Sequence, residues 1–150
     1  MPSVPIGTEA FLLVMEDIMT ITEKALELHG EGFNCAQCVL EAFAEHTGLD
    51  SKTARTICSA LGGGVRCGEM CGALLGASIA LGFVFPYTEE GDLDAATCIA
   101  NKTKELIRRF KEEFGCVRCL DLKKEGVTCH QSIKCAIAIA EDIINNKDKE

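Results

Sequence analysis

The residues most able to do chemistry are cysteines, ten of them in 150 residues. Cys35 and Cys38 form one Cys-x-x-Cys pair, Cys116 and Cys119 a second, and Cys67 and Cys71 a Cys-x-x-x-Cys. Cys129 and Cys135 fall in the first two turns of what reads as the last helix. Eight of the ten thus gather at expected helix ends or in the loops between them, where a scaffold presents reactive groups. A helix start offers unpaired N–H groups and partial positive charge, and both favour a thiolate, whether as nucleophile or as metal ligand. Cys71, at the head of the segment CGALLGASIALGFVFP, and Cys35, directly after Asn34, have that placement. Cys71 is therefore the expected low-pKa thiolate. Cys58 lies in an apolar stripe and reads as core. Cys98 falls on the charged side of a long helix and reads as an exposed thiol or part of an oligomer contact such as a homodimer's. It is assigned no chemistry.

Several cofactors can be weighed against this spacing. Two Cys-x-x-Cys pairs would suit tetrahedral zinc, but the first sits within a helix and nearly 80 residues separate the pairs, long for a compact zinc module. An iron–sulfur cluster also takes four thiolates, yet the tight bacterial ferredoxin run is absent. Covalent haem lacks its Cys-x-x-Cys-His, and thioredoxin chemistry lacks a βαβ pattern beside the cysteines. His29, His46 and His130 are scattered, and of these only His130, next to Cys129, has a site role open to it.

The elements that would position these groups read as helices. Thr8 caps an expected helix from Glu9 to Leu28 with Leu12, Met15, Met19, Thr22 and Leu26 on one face. Asn34 caps a second from Cys35 to His46, and Asp50 or Ser51 starts a short third with Ala54, Ile57, Cys58 and Leu61 inward. Gly62, Gly63 and Gly64 lead into a helix with no charged side chain from Cys71 to Phe85, expected to be surrounded by protein. At about 15 residues it is short of a spanning helix. Its small-residue side, Gly72, Ala73, Gly76, Ala77 and Ala80, would let neighbouring helices approach closely. Asp92 caps a helix from Leu93 to Phe114 with Leu93, Ala96, Ala100, Thr103, Ile107, Phe110 and Phe114 inward and Lys102, Glu105, Arg109 and Glu112 in water. One helical turn is expected near Leu120, and Thr128 or Cys129 opens a last helix to about Ile144 with Ile133, Ala136, Ile137, Ala140 and Ile144 inward. Residues 1–7 read as an irregular lead-in and 146–150 as a solvated tail. The fold expected is all-α: one domain, a bundle of five to six helices around a buried Gly/Ala-rich central helix.

Totals narrow the function classes. A net charge of −8 and a pI near 4.9 argue against nucleic acid and anionic membrane surfaces. No export signal or spanning segment stands out, so a reducing cytoplasm is the expected compartment, where clustered cysteines mean metal or thiol redox chemistry rather than a disulfide framework.

Taken together, NCAQCV with Cys35, CGALLG with Cys71, FGCVRCLDL with Cys119, and Cys135 in the final helix resemble the C-GCAxxG-C-C family, small proteins described as redox-active. The resemblance runs from Asn34 to near the end of the last helix. It implies that Cys35, Cys71, Cys119 and Cys135 form one redox or metal-binding site, with Cys38, Cys67, Cys116 and Cys129 as additional thiols near it. Two chemistries stay open for that site: dithiol–disulfide exchange with a redox partner, or a metal or iron–sulfur centre that carries the electron. A zinc thiolate held for structure or storage is the alternative from a different class. A helical partner-binding domain with mostly core cysteines is a third.

Overall fold

A computed structural model of the protein describes residues 19–147. Among them it is helical, with no strand and a single isolated bridge between Met70 and Arg118. The lead-in at 1–7 and the expected helix up to residue 18 lie outside the described residues, as do 148–150. Helix α1 runs Ile21–Gly30 and starts where the Thr20 side chain accepts the Glu23 N–H. The uninterrupted helix expected through this region is therefore corrected: Thr20 is extended and acts as a cap.

Helix α2 is Cys35–Ala42, opened by a capping box in which Asn34 accepts the Gln37 N–H and the Gln37 side chain accepts the Asn34 N–H. The expected run to His46 breaks at Phe43, and α3 continues over Ala44–Thr47 until Gly48 turns left-handed. Helix α4 is Ser51–Ile57, capped by Asp50. It is tied to α2 by the Arg55 guanidinium, which grips the buried Glu41 with both arms (2.6 and 3.0 Å) and lies 4.0 Å over the Phe33 ring. Ala54 and Cys58 face the core as expected, whereas Ile57 is exposed.

Helix α5, Gly72–Val84, buries Gly72, Ala73, Leu74, Gly76, Ala77, Ala80 and Leu81. It packs against α2, α3, α6 (Leu93–Phe114) and α8 (Cys129–Asn145). Enclosure is not complete, since Phe83 is 43% exposed. The small face works by close approach. A methyl on Gly76 would stand 2.7 Å from the Ala36 carbonyl oxygen and 3.1 Å from Val39 Cβ. That closeness holds the starts of α2 and α5 side by side.

The long helix has its expected bounds but a rotated buried face. Lys102, Leu106 and Phe110 are buried, while Leu93 is 76% exposed and Ala100 faces out. Phe110 is inward in both registers; Leu106 is buried, and Lys102 is accommodated with its ammonium 5.3 Å from the Phe85 ring centre. Helix α7 is Cys119–Lys124, and α8 starts with a second capping box, Thr128 with Gln131. Ile133, Ala136, Ile137, Ala140 and Ile144 point inward as the spacing predicts. The buried apolar side chains form one cluster, led by Phe43, Phe110, Leu40, Leu74, Leu81 and Leu106. No helix of the described residues is long and apolar enough to cross a membrane.

Candidate functional site

The glycine approach to α5 is wound the wrong way. Gly63, Gly64, Val65 and Arg66 follow one another at φ of 63, 65, 58 and 63°. Each L-residue in that region costs about 1–2 kcal/mol, and a β-branched valine there is a true outlier. The turn is held by hydrogen bonds: Glu69 N–H to the Gly64 carbonyl (2.9 Å) and the Arg66 guanidinium to the Ser59 carbonyl (2.7 Å). From it the chain pairs briefly with 117–119. Cys119 N–H donates to Glu69 O (2.6 Å), and Cys71 N–H donates to Val117 O (2.9 Å). Cys71 and Cys119 thus flank the Met70–Arg118 bridge on its other face, at the diagonal spacing whose side chains can meet. Arg118 adds an ion pair to Glu69 (3.3 Å).

Four helix starts thereby converge. Cys35 is the first residue of α2, Cys119 of α7 and Cys129 of α8, while Cys71 is the cap of α5. All four line one cavity of about 40 Å³, with Gly63, Leu122, Lys123 and Ser132 completing its wall. The expected set is thus brought together for Cys35, Cys71 and Cys119, with Cys129 in the fourth place. Cys135 lies a turn and a half further along α8, half-buried against Glu113 and Phe114 in a surface groove. Burial raises its pKa to about 11.

The remaining cysteines sit apart. Cys38 is fully buried with its thiol on the Phe33 carbonyl (3.5 Å), and burial raises its pKa to about 12. Cys67 is exposed in the left-handed turn, its thiol 3.6 Å from the Gly64 carbonyl. Cys116 borders a different groove, with Phe114, Asp121 and Glu125. Cys58 is fully buried, as a core residue should be, and Cys98 is half-buried on α6. All ten are free thiols.

Electrostatics distinguish the four cavity thiols. Cys129 is lowered to about 5, first by its contact with the Cys35 thiol and further by the neighbouring His29 and Lys123, against the opposing effect of burial. Cys35 is raised, first by its interaction with Cys129 and then by burial, so the one contact shifts the two thiols in opposite directions. For Cys71 the expectation is corrected. Burial raises its pKa despite the Leu74 and Ala73 N–H groups and the Ser132 hydroxyl that favour its thiolate. At 4% exposure the loss of water outweighs the helix start.

His29, in the last turn of α1, is the residue the linear reading missed. Donor atoms of His29, Cys35 and Cys129 all lie within 4.8 Å of one another, a group able to hold a metal ion. His29 Nδ1 is 3.1 Å from His130 Nε2, the rings meeting edge to face. The signal available in sequence was only that each histidine stands near a cysteine-bearing helix start, in HGEGFNC and TCHQ.

Fold and site define a helical, cysteine-rich protein whose thiols are gathered at helix starts. Residues 33–143 match the family described as "Putative redox-active protein (C_GCAxxG_C_C)", and the chain belongs to that family. No curated protein and no solved structure matches the chain.

Proposed function

We propose that the protein is a thiol redox protein acting by dithiol–disulfide exchange at the cavity, with Cys129 as attacking thiolate and Cys35 as resolving thiol. The observation that carries this reading is that Cys35 and Cys129, from two helix starts remote in sequence, bring their sulfurs within 4.8 Å at a cavity shared with two further thiols. Cys129 attacks one sulfur of a partner disulfide and expels the first partner thiolate, leaving a mixed disulfide. Cys35 then loses its proton and attacks the Cys129 sulfur, expelling the second partner thiolate. Two electrons pass to the partner disulfide, the protein gains a Cys35–Cys129 disulfide, and the departing thiolates take up protons. The neighbouring Cys35 thiol and, after it, His29 and Lys123 stabilise the attacking thiolate. Cys71, which is buried, and Cys119, which is half-buried, line the same cavity.

The test is equilibration of the anaerobic, chelator-treated protein in glutathione redox buffers, followed by peptide mapping. A reversible Cys35–Cys129 disulfide is expected, lost in Cys129→Ser. Stoichiometric iron with broad visible absorption in freshly purified protein, and no disulfide on titration, would replace this chemistry with a cluster.

A further inference from the structure

The group His29, Cys35 and Cys129 joins two soft sulfur donors and an imidazole from three different helices. In a tetrahedral zinc site, zinc–sulfur bonds of about 2.3 Å put two sulfurs about 3.8 Å apart. Donor atoms already within 4.8 Å stand within about 1 Å of that spacing. His130 Nε2 lies 3.1 Å from His29 Nδ1, a contact of the kind that steadies the ring of a metal-bound histidine. Thiolate and imidazole donors select zinc-class ions over magnesium or calcium. Three protein ligands leave a fourth position, as catalytic rather than structural zinc sites do. Cys35 and Cys129 line the cavity that also holds Cys71 and Cys119, so the fourth position has water or a further thiol within reach.

We propose that the reduced protein binds one zinc-class ion through His29, Cys35 and Cys129, and that ion binding and disulfide formation at these cysteines exclude one another. The second half rests on the dithiol reading above, because the ion occupies the two sulfurs that the disulfide would join. Oxidation of the loaded site by a disulfide then balances as follows. Two cysteine thiolates lose two electrons and become a disulfide, the partner disulfide takes those electrons and two protons to become two thiols, and the divalent ion leaves. Metal availability would in this way set whether the thiols can exchange.

Cobalt(II) is the probe, titrated anaerobically into the full-length, reduced, metal-free protein. One equivalent is expected to give tetrahedral ligand-field bands with thiolate-to-cobalt charge transfer, and zinc should bleach both by displacement. His29→Ala should weaken binding by more than about tenfold, since loss of even an outer-shell partner costs 10- to 100-fold. Cys35→Ser or Cys129→Ser should remove about half of the charge-transfer intensity, one thiolate of two. Cys98→Ser should leave the spectrum unchanged. Circular dichroism of each variant checks that the helices persist, and zinc protection of Cys35 and Cys129 from alkylation gives the same readout in unmutated protein. Absence of one-to-one binding, or an unaltered cobalt spectrum in His29→Ala, overturns the metal site while a reversible disulfide would leave the dithiol reading standing. Cobalt binding without any Cys35–Cys129 disulfide, or oxidation of loaded protein as fast as of metal-free protein, overturns the exclusion.

Discussion

Gly63 and Gly64 are neighbours with nearly the same backbone conformation, φ of 63 and 65°, and they differ in what surrounds them. A methyl on Gly63 would meet nothing within 4 Å. A methyl on Gly64 would lie 2.5 Å from the Glu69 backbone nitrogen and oxygen and 2.8 Å from Cys119 Cβ. Both alanine variants bear the left-handed penalty of about 1–2 kcal/mol. Only Gly64→Ala adds overpacking, about 1–3 kcal/mol, because its obstruction is backbone rather than a mobile side chain. For a chain of this size each kcal/mol lowers Tm by about 2–4 °C, so Gly63→Ala should lose about 2–8 °C and Gly64→Ala about 4–20 °C. The second variant also pushes on the Glu69 carbonyl that accepts from Cys119 N–H, so Cys119 should leave its place at the cavity. Thermal unfolding followed by circular dichroism measures the first effect. Iodoacetamide labelling with peptide mapping measures the second, as faster modification of Cys119 in Gly64→Ala than in Gly63→Ala. Equal losses of Tm with equal Cys119 labelling would refute the argument that this turn clamps the site.

Two further expectations concern pH. In metal-free protein with chelator present, alkylation of Cys129 should rise with a midpoint near pH 5 and that of Cys135 only towards about 11. Cys35→Ala removes a charge-assisted hydrogen bond of about 1.5–3 kcal/mol and should move the Cys129 midpoint up by about 1–2 pH units, with a smaller move for Cys35→Ser, which keeps a donor. A wild-type midpoint at 8–9, the range of a free thiol, would contradict the lowering of Cys129 by its neighbours. Stability should decline above pH 9. Cys38, Cys58 and Cys135 have native pKa values of about 12, 11 and 11 against 9.0. Raised acids stabilise fully below the unfolded value, and that contribution is lost as pH climbs through the native values, because the unfolded chain releases protons first. Urea unfolding from pH 8 to 10.5 should show the decline, with a shallower slope in Cys58→Ala; a flat profile would count against burial of these thiols.

Much of the helical plan could be read along the chain because capping and periodicity are local. Asn34, Asp50, Asp92 and Thr128 accept the N–H three residues on, as their types and positions predict. The small face of α5 and the inward stripe of α8 follow from spacing in the same way. Local signals failed on the register of a buried face, as on α6, and where a cap interrupted an apolar run, as at Thr20.

The chain by itself determined that Cys35 and Cys129 would stand at helix starts, since Asn34 and Thr128, the residues just before them, are the caps. Only tertiary packing decided which of those starts face one another. The close contact of Gly76 with Ala36 seats Cys71 beside Cys35, the left-handed turn and its bridge bring in Cys119, and the packing of α1, α2 and α8 adds Cys129 with His29. The opposite shifts of Cys35 and Cys129 and the burial of Cys71 depend on distances and neighbours across the fold, which no stretch of sequence carries within itself.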